Sequence, residues 1–166
     1  MPGTKKYILD QSVAEKKLRR MALQVIENNQ GESELIIAGI SDSGSVVAKN
    51  LQEAIAEISN VKTELLHIQL DKRKPQDINL SKTMDFTDKV IIIVDDVANS
   101  GKTLLYALKP FLNYYPKKIQ ILVLVERSHN SFPVRPDYVG ISIATTLQEH
   151  IYVEVDGEKV LGAYMV

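Results

Sequence analysis

The sequence predicts an α/β fold with a mostly parallel central sheet flanked by helices and a small antiparallel hood. Three observations carry that expectation. Short apolar runs within 34–40, 90–94 and 118–126 have the composition of strands buried on both faces, as in a parallel sheet. Helical periodicity fills the segments between them. Two of the runs pass directly into a polar, glycine-containing turn and then a helical pattern, which puts polar groups at the carboxyl end of a strand, where open α/β sheets bind ligands.

At 166 residues the chain reads as a single domain, 1–166, with enough length for a proper core. The apolar fraction of 45% and charged fraction of 25% are those of an ordinary soluble protein. A net charge of −1 excludes a global electrostatic footprint for nucleic acid, though not a local basic patch. With no cysteine, disulfides and thiolate chemistry are excluded. No apolar h-region follows Met1–Lys6 and no run reaches membrane-spanning length, so a cytoplasmic location is expected.

In chain order, Ser12-Val13-Ala14-Glu15 fits a capping box, and Leu18, Met21, Ala22, Val25 and Ile26 follow at helical spacing up to a stop at Gly31. Lys16, Lys17, Arg19 and Arg20 crowd this helix; a solvated face is the simpler reading, an RNA-facing patch the other. The strand at 34–40 runs into Ser41-Asp42-Ser43-Gly44-Ser45, with Val46, Val47, Leu51, Ile55 and Ile58 marking the next helix. Such a turn also caps helices for purely structural reasons. Leu65–Leu70 is a further strand, in which His67 reads as a core or sheet-face residue rather than a catalyst. Residues 71–88, opened by Lys72, Arg73, Lys74 and Pro75, lack periodicity and read as a basic lid or an ordinary exposed loop. Late in the chain, 138–143 and 150–155 alternate as strands, and Asp156-Gly157 predicts a hairpin turn into 160–164.

The stretch Val90–Thr103 organises the rest. Aliphatics end in Asp95-Asp96, the turn Ala98-Asn99-Ser100-Gly101-Lys102-Thr103 follows, and a helical pattern begins. A Walker A loop requires glycine where this chain has Asp96, and the Rossmann G-x-G-x-x-G fingerprint is absent. Ionised carboxylates are acceptors only, suited to a pair of vicinal hydroxyls. The turn offers backbone N–H groups, polar side chains and a helix dipole to one phosphate. Together they describe a site for a ribose 5-phosphate.

This order of aliphatics, paired acids, short turn and Ser-Gly-Lys-Thr resembles the 5-phosphoribosyl 1-diphosphate (PRPP) signature of type I phosphoribosyltransferases. Leu122–His129 and Phe132–Gly140 extend the resemblance toward the pyrimidine-operon regulator branch, PyrR, which combines uracil phosphoribosyltransferase activity with binding to messenger RNA. The resemblance implies the family's fold, with a flexible loop at about 71–88 and a hood at about 132–166. It implies that Asp95 and Asp96 hold the ribose hydroxyls and that Ala98, Asn99, Ser100, Gly101, Lys102 and Thr103 wrap the 5-phosphate. Ser41, Asp42, Ser43 and Gly44 become the diphosphate loop, and Arg127, Tyr138 and Val139 the base pocket. Lys72, Arg73 or Lys74 supplies the catalytic loop's charge, Arg73 being assigned to catalysis beside the two acids. Mg²⁺ is expected, held mainly by PRPP rather than by protein ligands, and homo-oligomers, dimers or tetramers, are common among relatives.

Two departures accompany the resemblance. Asp42 lies where the family's diphosphate loop usually carries a basic residue, and a carboxylate beside a diphosphate is repulsive unless it binds metal or points away. His129 and Arg135 match the branch's basic face, but Asn130 and Ile141 replace basic residues there. The expectation is therefore an enzyme converting a nucleobase, uracil first, to its nucleoside monophosphate. The alternatives are a nucleotide-sensing RNA-binding regulator and a catalytically weak PRPP-binding protein.

Overall fold

The computed structural model describes residues 3–166. Its elements, in chain order, are β1 (Lys6–Leu9), α1 (Gln11–Asn28), β2 (Glu34–Ile40), α2 (Ser41–Ile58), β3 (Lys62–Gln69), β4 (Asn79–Leu80), β5 (Val90–Ala98), α3 (Lys102–Ala107), a 3₁₀ turn (Lys109–Asn113), β6 (Lys118–Arg127), β7 (Tyr138–Ile143), β8 (Ile151–Asp156) and β9 (Lys159–Met165). A six-stranded sheet runs β4-β3-β2-β5-β6-β7, parallel except for β4, and a three-stranded antiparallel sheet runs β1-β9-β8. The predicted class is the observed one.

β5 shows why an unbroken aliphatic run was needed. Val90, Ile92 and Val94 join the core under α1 and α2, with Leu18, Met21, Val47 and Leu51. Ile91 and Ile93 join a second core on the opposite face, with Phe86, Leu104, Ala107 and Phe111. A strand sandwiched this way has no solvent face to carry polar residues. Burying each such side chain contributes roughly 1.5–3 kcal/mol, so the run pins β5 at the centre of the sheet and the acids at its carboxyl end.

Several local expectations differ from what is observed. The N-cap of α1 is Asp10, whose Oδ1 accepts from Val13 N at 2.8 Å, so Ser12 sits within the first turn. β1 ends at the buried Leu9, and the helix must start at once. Ser41–Gly44 forms no loop: α2 begins at Ser41 itself, directly after β2. The segment 71–88 is only partly free. β4 pairs with β3 at Ile68↔Leu80, and Phe86 is buried in the second core, which leaves 71–78 as the unpaired arch. The late strands divide differently too. β7 is the parallel edge of the main sheet, whereas β8 and β9 join β1, a strand with no local signal, in the small antiparallel sheet. The hairpin turn is Gly157-Glu158, one residue later than expected, because Asp156 pairs with Lys159.

Two of the four basic residues on α1 have partners within the chain. Arg20 Nη2 donates to the carbonyls of Val139 (2.7 Å) and Gly140 (3.1 Å) at the sheet edge, and Arg19 pairs with Glu57 at 3.5 Å. No helix among the described residues is long and apolar enough to cross a membrane.

Candidate active site

Strand register brings the acids to the sheet's carboxyl edge. Asp95 pairs with Val123 of β6, and Val123 with Val139 of β7, so the three form one row across neighbouring strands. Asp95 is 1% exposed and Asp96 is partly buried. Each carboxylate folds back on the chain: Asp95 Oδ1 accepts from Asp96 N, and Asp96 Oδ1 from Val97 N, both at 2.8 Å. These bonds fix the carboxylates' orientation, and the remaining oxygens stay available as acceptors.

Lys72 completes the pair. Its Nζ lies 3.3 Å from Asp95 Oδ1 and 3.4 Å from Asp96 Oδ1. Burial, and then the charge of Asp96, push the Asp95 carboxyl well above the ordinary carboxylate range, with Lys72 pulling against them. Burial alone would lower the Lys72 ammonium, yet the charges of Asp95 and Asp96 outweigh it and raise its pKa.

Beyond the acids the chain forms a cleft of about 50 Å³, lined by Lys72, Asp95 and residues 97–104. Two features shape it. Gly101 has φ +89°, a conformation that glycine adopts without steric cost. The 130–134 segment then clamps the turn from outside: Ser131 N and Phe132 N both donate to Ser100 O, at 2.8 and 3.0 Å. Ser100 Oγ accepts from Lys102 N at 3.3 Å. α3 is only six residues long, so the macrodipole expected of it is small, and an anion at this turn would meet chiefly backbone N–H groups.

Arg127 ties this turn to the opposite wall. Its Nε donates to Thr145 Oγ1 at 2.8 Å, Nη2 to Thr146 O at 3.0 Å, and Nη1 to Asn99 Oδ1 at 3.5 Å. His129 Nε2 bonds Thr145 O at 2.8 Å. Thr145 escaped the sequence reading because irregular segments carry no periodicity, and Asn130 and Phe132, named there only for the resemblance, were not expected against this turn.

The other expected site residues are placed as follows. Val139 packs on the same face as Ala98 and Leu104. Tyr138 faces the other way: its hydroxyl donates to Gln120 Oε1 at 2.8 Å and accepts from Asn28 Nδ2 at 3.2 Å, beneath α1, and it does not line the cleft. Arg73 is exposed, its backbone N–H bonded to Asp71, while its neighbour Lys72 reaches the acids. Ser41 takes φ +53°. Gly44 lies flat against β5, where a Cβ would come within 3.0 Å of Asp95 Oδ1. Asp42 and Ser45 instead line a separate hollow of about 390 Å³ beside α2 with Lys49, His67 and Glu158. The Asp42 carboxylate is therefore absent from the lining of the acid-and-turn cleft. His67 is an exposed sheet-face residue.

Fold and site together define an α/β protein with paired acids and a glycine turn at the carboxyl edge of a parallel sheet, the arrangement of a phosphoribosyltransferase. Residues 5–158 match the family model described as a phosphoribosyl transferase domain, and the chain belongs to that family. It is a PRPP-dependent phosphoribosyltransferase of the type I fold. "Bifunctional protein PyrR" of Streptococcus pneumoniae (strain CGSP14) is 30% identical in an alignment that covers 94% of this chain and 95% of that protein. A hypoxanthine-guanine phosphoribosyltransferase from Bacillus anthracis superposes with a TM-score of 0.80 at 21% identity, covering 99% of both chains. A hypoxanthine phosphoribosyl transferase of Trypanosoma cruzi gives 0.75 at 15%, covering 87% of this chain and 81% of that one. At these identities the purine enzymes share the fold, and the PyrR proteins share the sequence.

Proposed function

We propose that this protein transfers the 5-phosphoribosyl group of PRPP to uracil, forming the nucleoside monophosphate and releasing diphosphate. The observation that carries the reading is the juxtaposition of Asp95 and Asp96 with the 97–104 cleft, an acceptor pair beside a backbone-lined turn. Uracil is preferred over a purine because the 30% identity lies with PyrR proteins. The purine enzymes resemble this chain at 15–21% identity, which speaks for fold alone.

In this reading the two carboxylates accept hydrogen bonds from the ribose 2- and 3-hydroxyls, and the 98–103 turn receives the 5-phosphate. A base nitrogen attacks the anomeric carbon, the bond from that carbon to the diphosphate oxygen breaks, and diphosphate departs with the electron pair. The base nitrogen loses its proton to solvent. Positive charge develops on the sugar ring in the transition state, and the fixed carboxylates stabilise it electrostatically from the hydroxyl side. Val139, in the row of Asp95, faces the base, and Arg127 fixes the 145–146 segment over it.

Mg²⁺ fits here as an ion carried mainly by PRPP: the described residues form no group of three or more metal-ligating side chains, and among them the acids at the cleft have no ion-pair partner other than Lys72 to oppose a nearby cation. Bound through PRPP, the ion would neutralise the diphosphate as it leaves. An RNA-binding role is not assigned: of the basic face, His129 is bonded to Thr145 O and Arg135 alone is exposed, and Arg20 of α1 is bonded to the sheet edge.

The test incubates the protein with PRPP, Mg²⁺ and, separately, uracil, hypoxanthine, guanine, adenine and orotate, and measures diphosphate release. Uracil is expected to give the highest rate. Turnover with purines alone would replace the acceptor, and no release with any base would remove the proposed function.

A further inference from the structure

The cleft beside the acids is too small for the ligand it should receive. Sites for small organic ligands usually enclose 300–1,000 Å³, and this one measures about 50 Å³. What fills the missing space belongs to the chain itself. Lys72 lines the cleft and sets its ammonium 3.3 and 3.4 Å from the two carboxylate oxygens, where the hydroxyl pair of a ribose would donate.

We propose that Lys72 occludes the ribose site in the free protein, and that PRPP evicts it and then uses its charge on the diphosphate. The proposal rests on the phosphoribosyltransferase reading of the site and extends it to a residue with two positions in one cycle.

Three features make the exchange cheap and directional. Lys72 sits at the start of the 71–78 arch, which leaves the carboxyl end of β3, joins no strand until β4 and is anchored further along at the buried Pro75, so the flexible Lys72 side chain can swing without moving the sheet. Its side chain is 43% exposed although Asp95 is 1% exposed: the ammonium reaches in from solvent and can return there. Its side-chain hydrogen bonds are to the two carboxylates, and an arriving ribose replaces both with hydroxyl donors. The ammonium end of the pair is open to solvent, which screens the attraction, so a sugar phosphate can displace it. The arch borders the carboxyl edge of the sheet, so the freed ammonium remains near a diphosphate attached at the anomeric carbon. Arg73 and Lys74 flank it on the same arch and are exposed. Of the three adjacent cations, Lys72 is the one that visits the sugar site.

Two ligands separate occlusion from an ordinary structural role. Ribose 5-phosphate carries the hydroxyl pair and the phosphate but no diphosphate, so it must evict Lys72 and gains nothing from it afterwards. PRPP evicts Lys72 and then recovers its charge. Lys72→Gln and Lys72→Ala, one keeping most of the side-chain length and one removing it, are compared with the native protein by calorimetric titration of both ligands with Mg²⁺ present. Both variants are expected to bind ribose 5-phosphate roughly three- to tenfold tighter, the factor that about 0.7–1.4 kcal/mol of lost competition represents, while PRPP affinity stays level or falls. Ribose 5-phosphate binding that is unchanged or weaker in the variants, with PRPP still bound, would overturn the occlusion and leave the transferase reading standing. No binding of either ligand to any of the proteins would overturn both.

Discussion

Two units of this chain share one grammar, strand then polar turn then helix, and fold differently. After β5, residues 99–101 leave the strand as a true turn, Gly101 takes φ +89°, and the turn's backbone lines a cleft held from outside by 130–134. After β2 there is no turn: α2 starts at Ser41 and Gly44 lies against Asp95. Its small residues serve close packing, and Ser45 Oγ turns back to Gly39 O at 3.3 Å. Serines and a glycine between strand and helix therefore specify that the chain comes close to something. In one unit the approach leaves an open cleft; in the other it packs against the buried Asp95.

The largest effect is expected from the acids between the units. Asp95→Asn with Asp96→Asn should lower turnover at least a hundredfold, because amides put N–H donors where the ribose hydroxyls need acceptors, measured as diphosphate release. Asp95→Asn alone is expected to do the opposite to stability. The folded-state pKa of Asp95 is raised, chiefly by burial. Its contribution to stability is therefore complete below the unfolded carboxylate range near 4, and is lost as pH rises through the raised folded value. The amide escapes that loss. The variant should melt close to the native protein at about pH 4 and above it at pH 8. A gap that shrinks with rising pH would show that Asp95 is stabilising when charged.

Gly101→Ala tests the open unit. The substitution forces a side chain into the left-handed region, at about 1–2 kcal/mol, and puts a Cβ within 2.8 Å of Asn130 Oδ1 and 3.0 Å of Val134 O. The expected result is a roughly tenfold rise in KM for PRPP, with melting lowered by several degrees. An unchanged KM would mean that the turn's shape does not matter to the phosphate.

These residues also mark what the sequence could disclose. Asp95, Asp96 and Gly101 were legible because their signals are local: a run buried on both faces has to stop before charge can appear, and a tight turn calls for glycine. Lys72 was legible only as a basic residue in a loop, since its meeting with Asp95 depends on the path of the 71–78 arch. Alternation showed that β7 has two faces but not which one Tyr138 takes. That phase is set by Asp137, whose carboxylate accepts from Ile121 N and whose N–H donates to Ile121 O, both at 2.8 Å, locking the strand's entry with Tyr138 turned under α1. β1 was invisible for the same reason, as its partner β9 lies at the other end of the chain. The capping-box pattern at Ser12 was a true signal outcompeted by Asp10, which stands where the buried Leu9 requires the helix to begin.

The smallest expected effect lies in the closed unit and sharpens the comparison most. Ser41 holds φ +53° at the junction of β2 and α2, a conformation costing a non-glycine residue about 1–2 kcal/mol. Glycine there would relieve that cost and forfeit part of the gain to its freer unfolded chain, so Ser41→Gly should stabilise the protein by about 0.5 kcal/mol in thermal unfolding. Strain held at a ligand-facing junction is often kept for the geometry it imposes. If the β2–α2 junction positions the diphosphate, the same variant should raise KM for PRPP a few-fold while it raises the melting temperature. If the junction only packs, stability should rise with KM unchanged, and the two units would then differ in kind: one holds substrate, and the other holds Asp95.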